Sequence, residues 1–261
     1  MDKITKLSFC TVTYNSKDKI KNLLENLEDV TKSYEATIFI VDNGSSDNTI
    51  QIVKDYMNQY DNIKLVVPET NKGFGAGNNA VIKDINSQYH VLVNPDIKIP
   101  TSTELDKMVE YMNGHLDVGL LSPKLLNIDG SVQKLYKYNP SVLDMALRFI
   151  SPNIMKKRQA WFVHDETGYT KSGLIEHASG AFMFFRSSVF LDIEGFDERY
   201  FMYMEDADIT RKVNEESSAV FYPSAYVIHE WQRDSHKKVK NMFMTIASMY
   251  KYFCKWGWKI L

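Results

Sequence analysis

The sequence lacks the signatures of several large classes of protein. Its 261 residues include only two cysteines, Cys10 and Cys254, which lie at opposite ends and argue against a disulfide framework. The net charge is −2, from 31 basic and 33 acidic side chains, which argues against a broadly basic surface for nucleic acid. No stretch reaches the roughly 18 apolar residues of a membrane span, and the N-terminus lacks the apolar core of a signal peptide. We therefore expect a cytoplasmic protein that does not bind nucleic acid.

The sequence does have enough apolar residues, 44%, to bury a core. In the first hundred residues, short apolar runs alternate with stretches of helical period, which is typical of a parallel sheet covered by helices. The predicted strands are residues 7–13, 36–41, 63–67 and 90–93.

The pattern changes after residue 96. The predicted elements there are a helix over 102–113, strands over 118–121, 176–185 and 219–228, a hairpin at 127–130, and a helix starting near Glu205. Residues 140–170 are rich in apolar side chains without a clear period, so they indicate an insertion or lid whose structure is left open.

A carboxylate follows the fourth predicted strand, in the motif Val93-Asn94-Pro95-Asp96. Pro95 ends the strand and keeps Asn94 extended, and ligands of α/β proteins collect beyond the carboxyl ends of strands. A metal-binding Asp96 and an ordinary turn are equally compatible with this motif.

Three glycines, Gly73, Gly75 and Gly77, invite comparison with the dinucleotide-binding fingerprint. Asn78 stands where the last glycine of that fingerprint belongs, which disfavours a nucleotide-sugar oxidoreductase. The glycines would instead let the backbone approach a nucleotide while Asn78 and Asn79 begin a helix, although a flexible turn also fits.

Taken in order, several motifs closely resemble the inverting glycosyltransferases of family 2, and in particular their rhamnosyltransferase-like branch. The motifs are Thr11-Val12-Thr13-Tyr14-Asn15, Val41-Asp42-Asn43-Gly44-Ser45-Ser46-Asp47, Asn71-Lys72-Gly73-Phe74-Gly75-Ala76-Gly77-Asn78-Asn79, Asn94-Pro95-Asp96, Phe196-Asp197-Glu198-Arg199-Tyr200, Met204-Glu205-Asp206-Ala207-Asp208 and His229. The resemblance implies the α/β fold called GT-A, with a mostly parallel central sheet flanked by helices and a C-terminal helical extension.

The resemblance also implies a role for each site residue. Asp206 would be the general base, and Asp96 and His229 would bind Mn²⁺ or Mg²⁺, with Asn94 replacing the first aspartate of the commoner D-x-D motif. Asp42 would accept the imide N–H of uracil or thymine, although a turn role for Asp42 stays open. The substrate-binding residues would be Thr13, Tyr14, Asn15, Asp42, Gly73, Asn78, Asn94, Gly180, Ala181, Glu205, Trp231 and Arg233.

The expected reaction is transfer of a sugar, with inversion, from a nucleotide-sugar donor to a saccharide or lipid-linked saccharide acceptor in bacterial cell-surface polysaccharide synthesis. dTDP-L-rhamnose is the preferred donor; UDP-sugars are the alternative, and a non-catalytic glycan-binding module is a more distant one. Residues 1–235 would form the catalytic domain, with donor-binding (1–100) and acceptor-binding (101–235) halves.

The C-terminal segment, 236–261, interleaves lysines with apolar and aromatic residues. A basic amphipathic helix of this kind is typical of peripheral contact with a membrane, here the inner face of the cell membrane. Packing onto the catalytic domain and formation of a homodimer are equally compatible with the pattern.

Overall fold

The computed structural model describes residues 5–150, 154–230 and 238–261. Within these ranges the chain forms nine strands and nine α-helices around one sheet. The strands are β1 (Lys6–Thr13), β2 (Glu35–Asp42), β3 (Ile63–Val66), β4 (Tyr89–Val93), β5 (Ile97–Lys98), β6 (Val118–Leu126), β7 (Gly173–Leu174), β8 (Phe182–Arg186) and β9 (Ser218–His229). The helices are α1 (Lys17–Val30), α2 (Thr49–Met57), α3 (Phe74–Asn79), α4 (Ser102–Gly114), α5 (Val142–Ile150), α6 (Lys156–Phe162), α7 (Ser187–Asp192), α8 (Glu205–Glu216) and α9 (Lys238–Trp256).

The sheet has the strand order β3-β2-β1-β4-β8-β6-β9-β5, and β7 pairs with β9. The first four strands are parallel, as predicted. Beyond β4 the sheet is mixed, because β8 runs antiparallel to both β4 and β6, while β6 and β9 are parallel to each other. The carboxyl ends of β1, β2 and β4 therefore meet at one edge.

Both faces of the sheet are buried, so successive strand residues enter different cores. In β1, Phe9 belongs to the core that contains Leu24 of α1, while Cys10 belongs to the core that contains Ile209 of α8. This explains why the strands read as continuous apolar runs in the sequence.

Two local predictions are wrong. The strand predicted from residue 176 begins only at Phe182, because Ala178 N–H donates to the Thr210 hydroxyl on α8 instead of to a neighbouring strand. Asn78 and Asn79 end α3 rather than begin a helix, and the Asn78 amide donates to the carbonyl of Phe74 one turn earlier.

Residues 140–170, whose structure the sequence does not predict, contain α5 and α6. Asp144 on α5 accepts two hydrogen bonds from Arg158 on α6, at 2.7 and 2.8 Å. Trp161 stacks on Tyr138 with ring centroids 4.3 Å apart, and its ring is also covered by the Arg158 guanidinium. These contacts of Trp161 with Tyr138 and Arg158 help to fix the insertion to the domain.

Helix α9 packs onto the rest of the chain, which is one of the three arrangements its sequence allowed. Tyr252 and Phe253 are buried in a cluster with residues that include Tyr200. Asp208 of α8 is fully buried and accepts hydrogen bonds from the Lys255 ammonium at 2.9 Å and the Trp256 indole at 2.7 Å. No helix among the described residues is both long and apolar enough to cross a bilayer.

Candidate active site

The turn after β2 is organised by Asp42. Its carboxylate is fully buried and accepts hydrogen bonds from the N–H groups of Gly44 (3.1 Å) and Ser45 (2.8 Å) and from the hydroxyls of Ser45 (2.6 Å) and Thr13 (2.9 Å). Four donors match the acceptor capacity of a carboxylate. A nucleobase N–H can reach Asp42 only if one of these donors moves.

Next to this turn, the end of β1 presents Tyr14 and Asn15. Tyr14 is 57% exposed. Asn15 has a left-handed φ of 54°, and its amide oxygen accepts a hydrogen bond from Ser46 N–H at 2.8 Å. The two turns are therefore joined into one exposed rim beside the sheet edge.

Gly73 begins α3 at a point where two chain segments touch. Its φ is 100°, and a Cβ atom added there would overlap the carbonyl oxygen of Phe201. Phe74 N–H donates to the same carbonyl at 3.1 Å. The glycine segment is thus held directly against residues 199–204, the loop that leads into α8.

Asp96 and His229 lie side by side, because β5 pairs with the end of β9 so that Ile97 is opposite His229. Asp96 Oδ1 is 3.4 Å from His229 Nε2, and Asp96 Oδ2 is 3.1 Å from Lys19 Nζ. Burial opposes ionisation of Asp96, but His229 and Lys19 together hold the pKa of that carboxyl below its usual value.

The contact of His229 Nδ1 with Gln133 shows which nitrogen of the imidazole carries a proton. Gln133 uses its amide N–H₂ to donate to the His229 carbonyl at 2.9 Å and to Asn127 at 2.7 Å, so its amide oxygen is an acceptor. That oxygen is 2.8 Å from His229 Nδ1, which must therefore carry the proton. Nε2 is the nitrogen that points to Asp96, and in the neutral imidazole its lone pair would be available to a metal, as in a metal-binding histidine.

These two side chains fit a divalent cation only as part of a larger set. A carboxylate oxygen and an imidazole nitrogen suit Mn²⁺ or Mg²⁺. The described residues contain no group of three or more His, Cys, Asp or Glu side chains placed to hold an ion. The other ligands would have to come from a bound substrate and from water.

Glu205 and Asp206 form the first turn of α8, after Met204 in a left-handed conformation with φ of 69°. Burial and the charge of Asp206 raise the pKa of Glu205 to about 8. Burial also opposes ionisation of Asp206, yet His177 and Lys137 hold its pKa far below the usual value. At neutral pH, Asp206 is thus the ionised member of the pair and the one able to accept a proton.

A cavity of about 550 Å³ joins these groups. Its lining includes Asp206, His229 and Asn94, together with Met145 and Phe162 of the α5–α6 insertion. Gly180 and Ala181 also line the cavity, and a Cβ atom on Gly180 would lie 3.5 Å from Cβ of Asp206. The small residue at 180 keeps the space beside Asp206 open.

Six of the predicted residues line this cavity, namely Asn94, Gly180, Ala181, Glu205, Asp206 and His229, and Asp96 lies against His229. The cavity lining does not include Thr13, Tyr14, Asn15, Asp42, Gly73 or Asn78. Sequence analysis missed Lys19, Gln133, Lys137 and His177, because each is brought to the site by tertiary contacts and has no motif of its own. Trp231 and Arg233, predicted to bind substrate, lie outside the described residues.

Comparison with known proteins places these features in a family context. Residues 8–193 match the sequence model of the family "Glycosyl transferase family 2". The chain is 27% identical over 241 residues to N-acetylglucosaminyl-diphospho-decaprenol L-rhamnosyltransferase of Mycobacterium tuberculosis, covering 85% of this chain and 75% of that protein. It is 25% identical over 257 residues to rhamnosyltransferase WbbL of Escherichia coli K12, covering 94% and 91%.

Solved structures are similar in fold. Mannosyltransferase PcManGT from Pyrobaculum calidifontis, in complex with GDP-Man and Mn²⁺, superposes with a TM-score of 0.68 at 13% identity, over 97% of this chain and 65% of that one. S. aureus TarS 1-349 in complex with UDP-GlcNAc gives a TM-score of 0.61 at 21% identity, over 90% and 61%. The expected α/β fold, helices on both faces of a central sheet, is confirmed.

Proposed function

The chain belongs to glycosyl transferase family 2 and is a hexosyltransferase, and on that premise we propose that it transfers a sugar, with inversion, from a nucleoside diphosphate donor to a saccharide acceptor. The observation that carries the proposal is the single cavity lined by both Asp206 and His229, the latter beside Asp96. A base and a candidate metal pair thus lie at one cleft, as a direct displacement requires.

In the proposed reaction, Asp206 accepts the proton of the acceptor hydroxyl. The oxygen forms a bond to the anomeric carbon from the face opposite the diphosphate, and the bond from that carbon to the diphosphate oxygen breaks with its electron pair. Asp96 and His229 would hold Mn²⁺ or Mg²⁺, and such an ion would supply positive charge to offset that of the departing diphosphate. Lys19, 3.1 Å from Asp96, adds a fixed positive charge near the same position.

We assign the donor contacts to residues 1–100 and the acceptor contacts to residues 101–235, with 236–261 as an extension. Thr13, Tyr14, Asn15, Asn94 and Gly73 would bound the nucleotide, with Asp42 and Asn78 acting through the turns they hold together. Gly180, Ala181 and Glu205 would border the sugar. Glu205, uncharged at neutral pH, can donate a hydrogen bond to a sugar hydroxyl.

The preferred donor is dTDP-L-rhamnose, which the similarity to two rhamnosyltransferases supports. A UDP-sugar is the second candidate, supported by 34% identity over 135 residues to the poly(ribitol-phosphate) β-N-acetylglucosaminyltransferase TarS.

A thermal-shift panel of dTDP- and UDP-sugars with and without Mn²⁺ tests the donor. At about 100 times the dissociation constant a ligand adds roughly 2.7 kcal/mol of stability, so we expect dTDP-L-rhamnose with Mn²⁺ to raise Tm by about 5–10 °C. In Asp96→Asn the metal-dependent part of the shift should disappear. A larger shift with UDP-sugars selects the second candidate, and no shift with any sugar contradicts the donor assignment.

The proposed acceptor is a lipid-linked saccharide at the cytoplasmic face of the membrane, which a surface of α9 would contact. Phe243, Ile246 and Tyr250 are 64%, 48% and 62% exposed and lie at positions i, i+3 and i+7, on one side of the helix. Exposed apolar side chains at this spacing suit insertion into the headgroup region of a bilayer.

We expect Phe243→Ser with Ile246→Ser to lower flotation with anionic vesicles by about tenfold or more, since each buried apolar side chain contributes roughly 1.5–3 kcal/mol. Removal of α9 is unsuitable for this test, because Lys255 and Trp256 are partners of the buried Asp208. Leu116→Ser, at a 78% exposed position outside α9, is the matched control. Unchanged flotation contradicts membrane contact, and a changed oligomeric state in size exclusion would identify a dimer interface instead.

A further inference from the structure

His177 lies in the chain segment just before β8, and hydrogen bonds to two other parts of the chain hold this segment in place. Its carbonyl accepts a hydrogen bond from Lys137 N–H at 3.1 Å, and the next residue, Ala178, donates to the Thr210 hydroxyl on α8 at 3.1 Å. The same Thr210 hydroxyl donates to the carbonyl of Asp206 at 2.6 Å. The backbone around His177 is thereby tied to the first turn of α8.

The imidazole of His177 meets one oxygen of Asp206 only. Nε2 of the buried His177 is 3.2 Å from Asp206 Oδ1, and the Ala207 N–H donates to the same oxygen at 2.9 Å. Among the described residues, both of the close contacts fall on Oδ1. Because Asp206 lines the cavity and its side chain is 24% exposed, Oδ2 is the oxygen left for a substrate.

The charged groups that act on Asp206 come from three elements. His177 precedes β8, Lys137 lies on the segment after β6, and Glu205 is its neighbour on α8. Burial raises the pKa of Asp206, and His177 and Lys137 outweigh it and lower that pKa. His177 acts on it both by charge and by direct contact.

We propose that His177 is a positioning residue for sugar transfer, which holds Oδ1 of Asp206 so that Oδ2 faces the acceptor hydroxyl in the ionised form. This inference rests on the proposed role of Asp206 as the base. His177 does not itself touch the reacting atoms. Its substitution should therefore affect kcat and the pH profile more than donor binding.

His177→Leu tests the proposal, because leucine fills similar space without a polar atom. We expect kcat to fall about 10- to 100-fold, part of the 10²–10⁴ that a general base contributes, with the KM for the donor unchanged. Loss of a neighbouring cation raises a carboxyl pKa, so the acidic limb of the kcat/KM profile should move up by about 1–3 pH units. His177→Gln, which keeps an N–H donor, should recover much of kcat.

Two controls separate positioning from loss of structure. His115→Leu, at an exposed histidine after α4, should leave both kcat and the pH profile unchanged. In the Asp206→Asn variant, adding His177→Leu should lower kcat only slightly further, because the contact no longer positions a base. A full additional loss would mean that His177 acts on another group, and wild-type kcat and profile in His177→Leu would overturn the proposal.

A carboxyl ¹³C NMR titration decides the same question without turnover. With the Asp206 resonance assigned by its absence in Asp206→Asn, we expect it to remain that of a carboxylate down to pH 4 in the wild type and to titrate above that pH in His177→Leu. Identical titrations would refute the role of His177. A wild-type protein that transfers no sugar would instead refute the proposed function, whatever the titration shows.

Discussion

Asp206→Asn is expected to reduce kcat by about 10³-fold while donor binding is largely retained. An amide of the same shape keeps the contact geometry of the first turn of α8 but cannot accept the proton of the acceptor hydroxyl. Initial rates of sugar transfer and calorimetric donor binding, measured on the same preparation, check both halves of the expectation.

Asp117→Asn is the matched control, because Asp117 is exposed between α4 and β6 and lies outside the cavity lining. It should change neither the rate of transfer nor donor binding. Turnover in Asp206→Asn above about a tenth of the wild-type value would show that another group is the base. Saccharide binding without any sugar transfer by the wild-type protein, unchanged in Asp206→Asn, would favour a glycan-binding module over a transferase.

Gly73→Ala is expected to lower both the free energy of unfolding and the affinity for the donor. The added Cβ meets the Phe201 carbonyl, which is backbone and cannot rotate aside, and φ of 100° is unfavourable for any residue with a Cβ atom. Separation of the glycine segment from residues 199–204 would displace the start of α8 as well. We expect a loss of about 3 kcal/mol or more in urea denaturation, larger than the strained φ alone would cause.

Gly130→Ala isolates the conformational part of that effect. Gly130 has a φ of 82°, close to that of Gly73, but an added Cβ atom would meet nothing within 4 Å. We expect Gly130→Ala to cost about 1–2 kcal/mol and to leave donor affinity unchanged. Equal losses in the two variants would mean that the contact with Phe201 is not what matters at Gly73.

The parts of the site that sequence analysis located are those that local structure determines. Thr13 and Asp42 are the last residues of β1 and β2, and Asn94 follows β4. Parallel strands bring their carboxyl ends together, so the convergence of these residues follows from the pattern. The parallel half of the sheet was predictable for the same reason. Asp206 was identified through the family resemblance of the motif Met204-Glu205-Asp206-Ala207-Asp208, and its place in the first turn of a helix alone would not have indicated a base.

The parts that were missed depend on contacts between distant segments. Lys19 lies on α1, where the apolar periodicity identifies only the buried face of the helix. Nothing in that pattern indicates the ion pair between Lys19 and Asp96, which lies 77 residues later in the chain. The strand predicted over 176–185 begins only at Phe182, because N–H groups before it bond elsewhere: Ile175 donates to Ala219 in β9, and Ala178 donates to Thr210 in α8. The α5–α6 insertion is held partly by aromatic stacking of Trp161 on Tyr138, a contact that leaves no periodic pattern in the sequence.

The anchoring of α9 sets the order in which the chain can finish folding. Lys255 follows its partner Asp208 by 47 residues, so the ribosome releases α8 well before the cation that neutralises its buried carboxylate. Until α9 docks, Asp208 must stay hydrated, and α8 cannot settle fully against Tyr200 and the loop that carries Met204. Helix α8 therefore reaches its final form only after α9 has been synthesised and has docked.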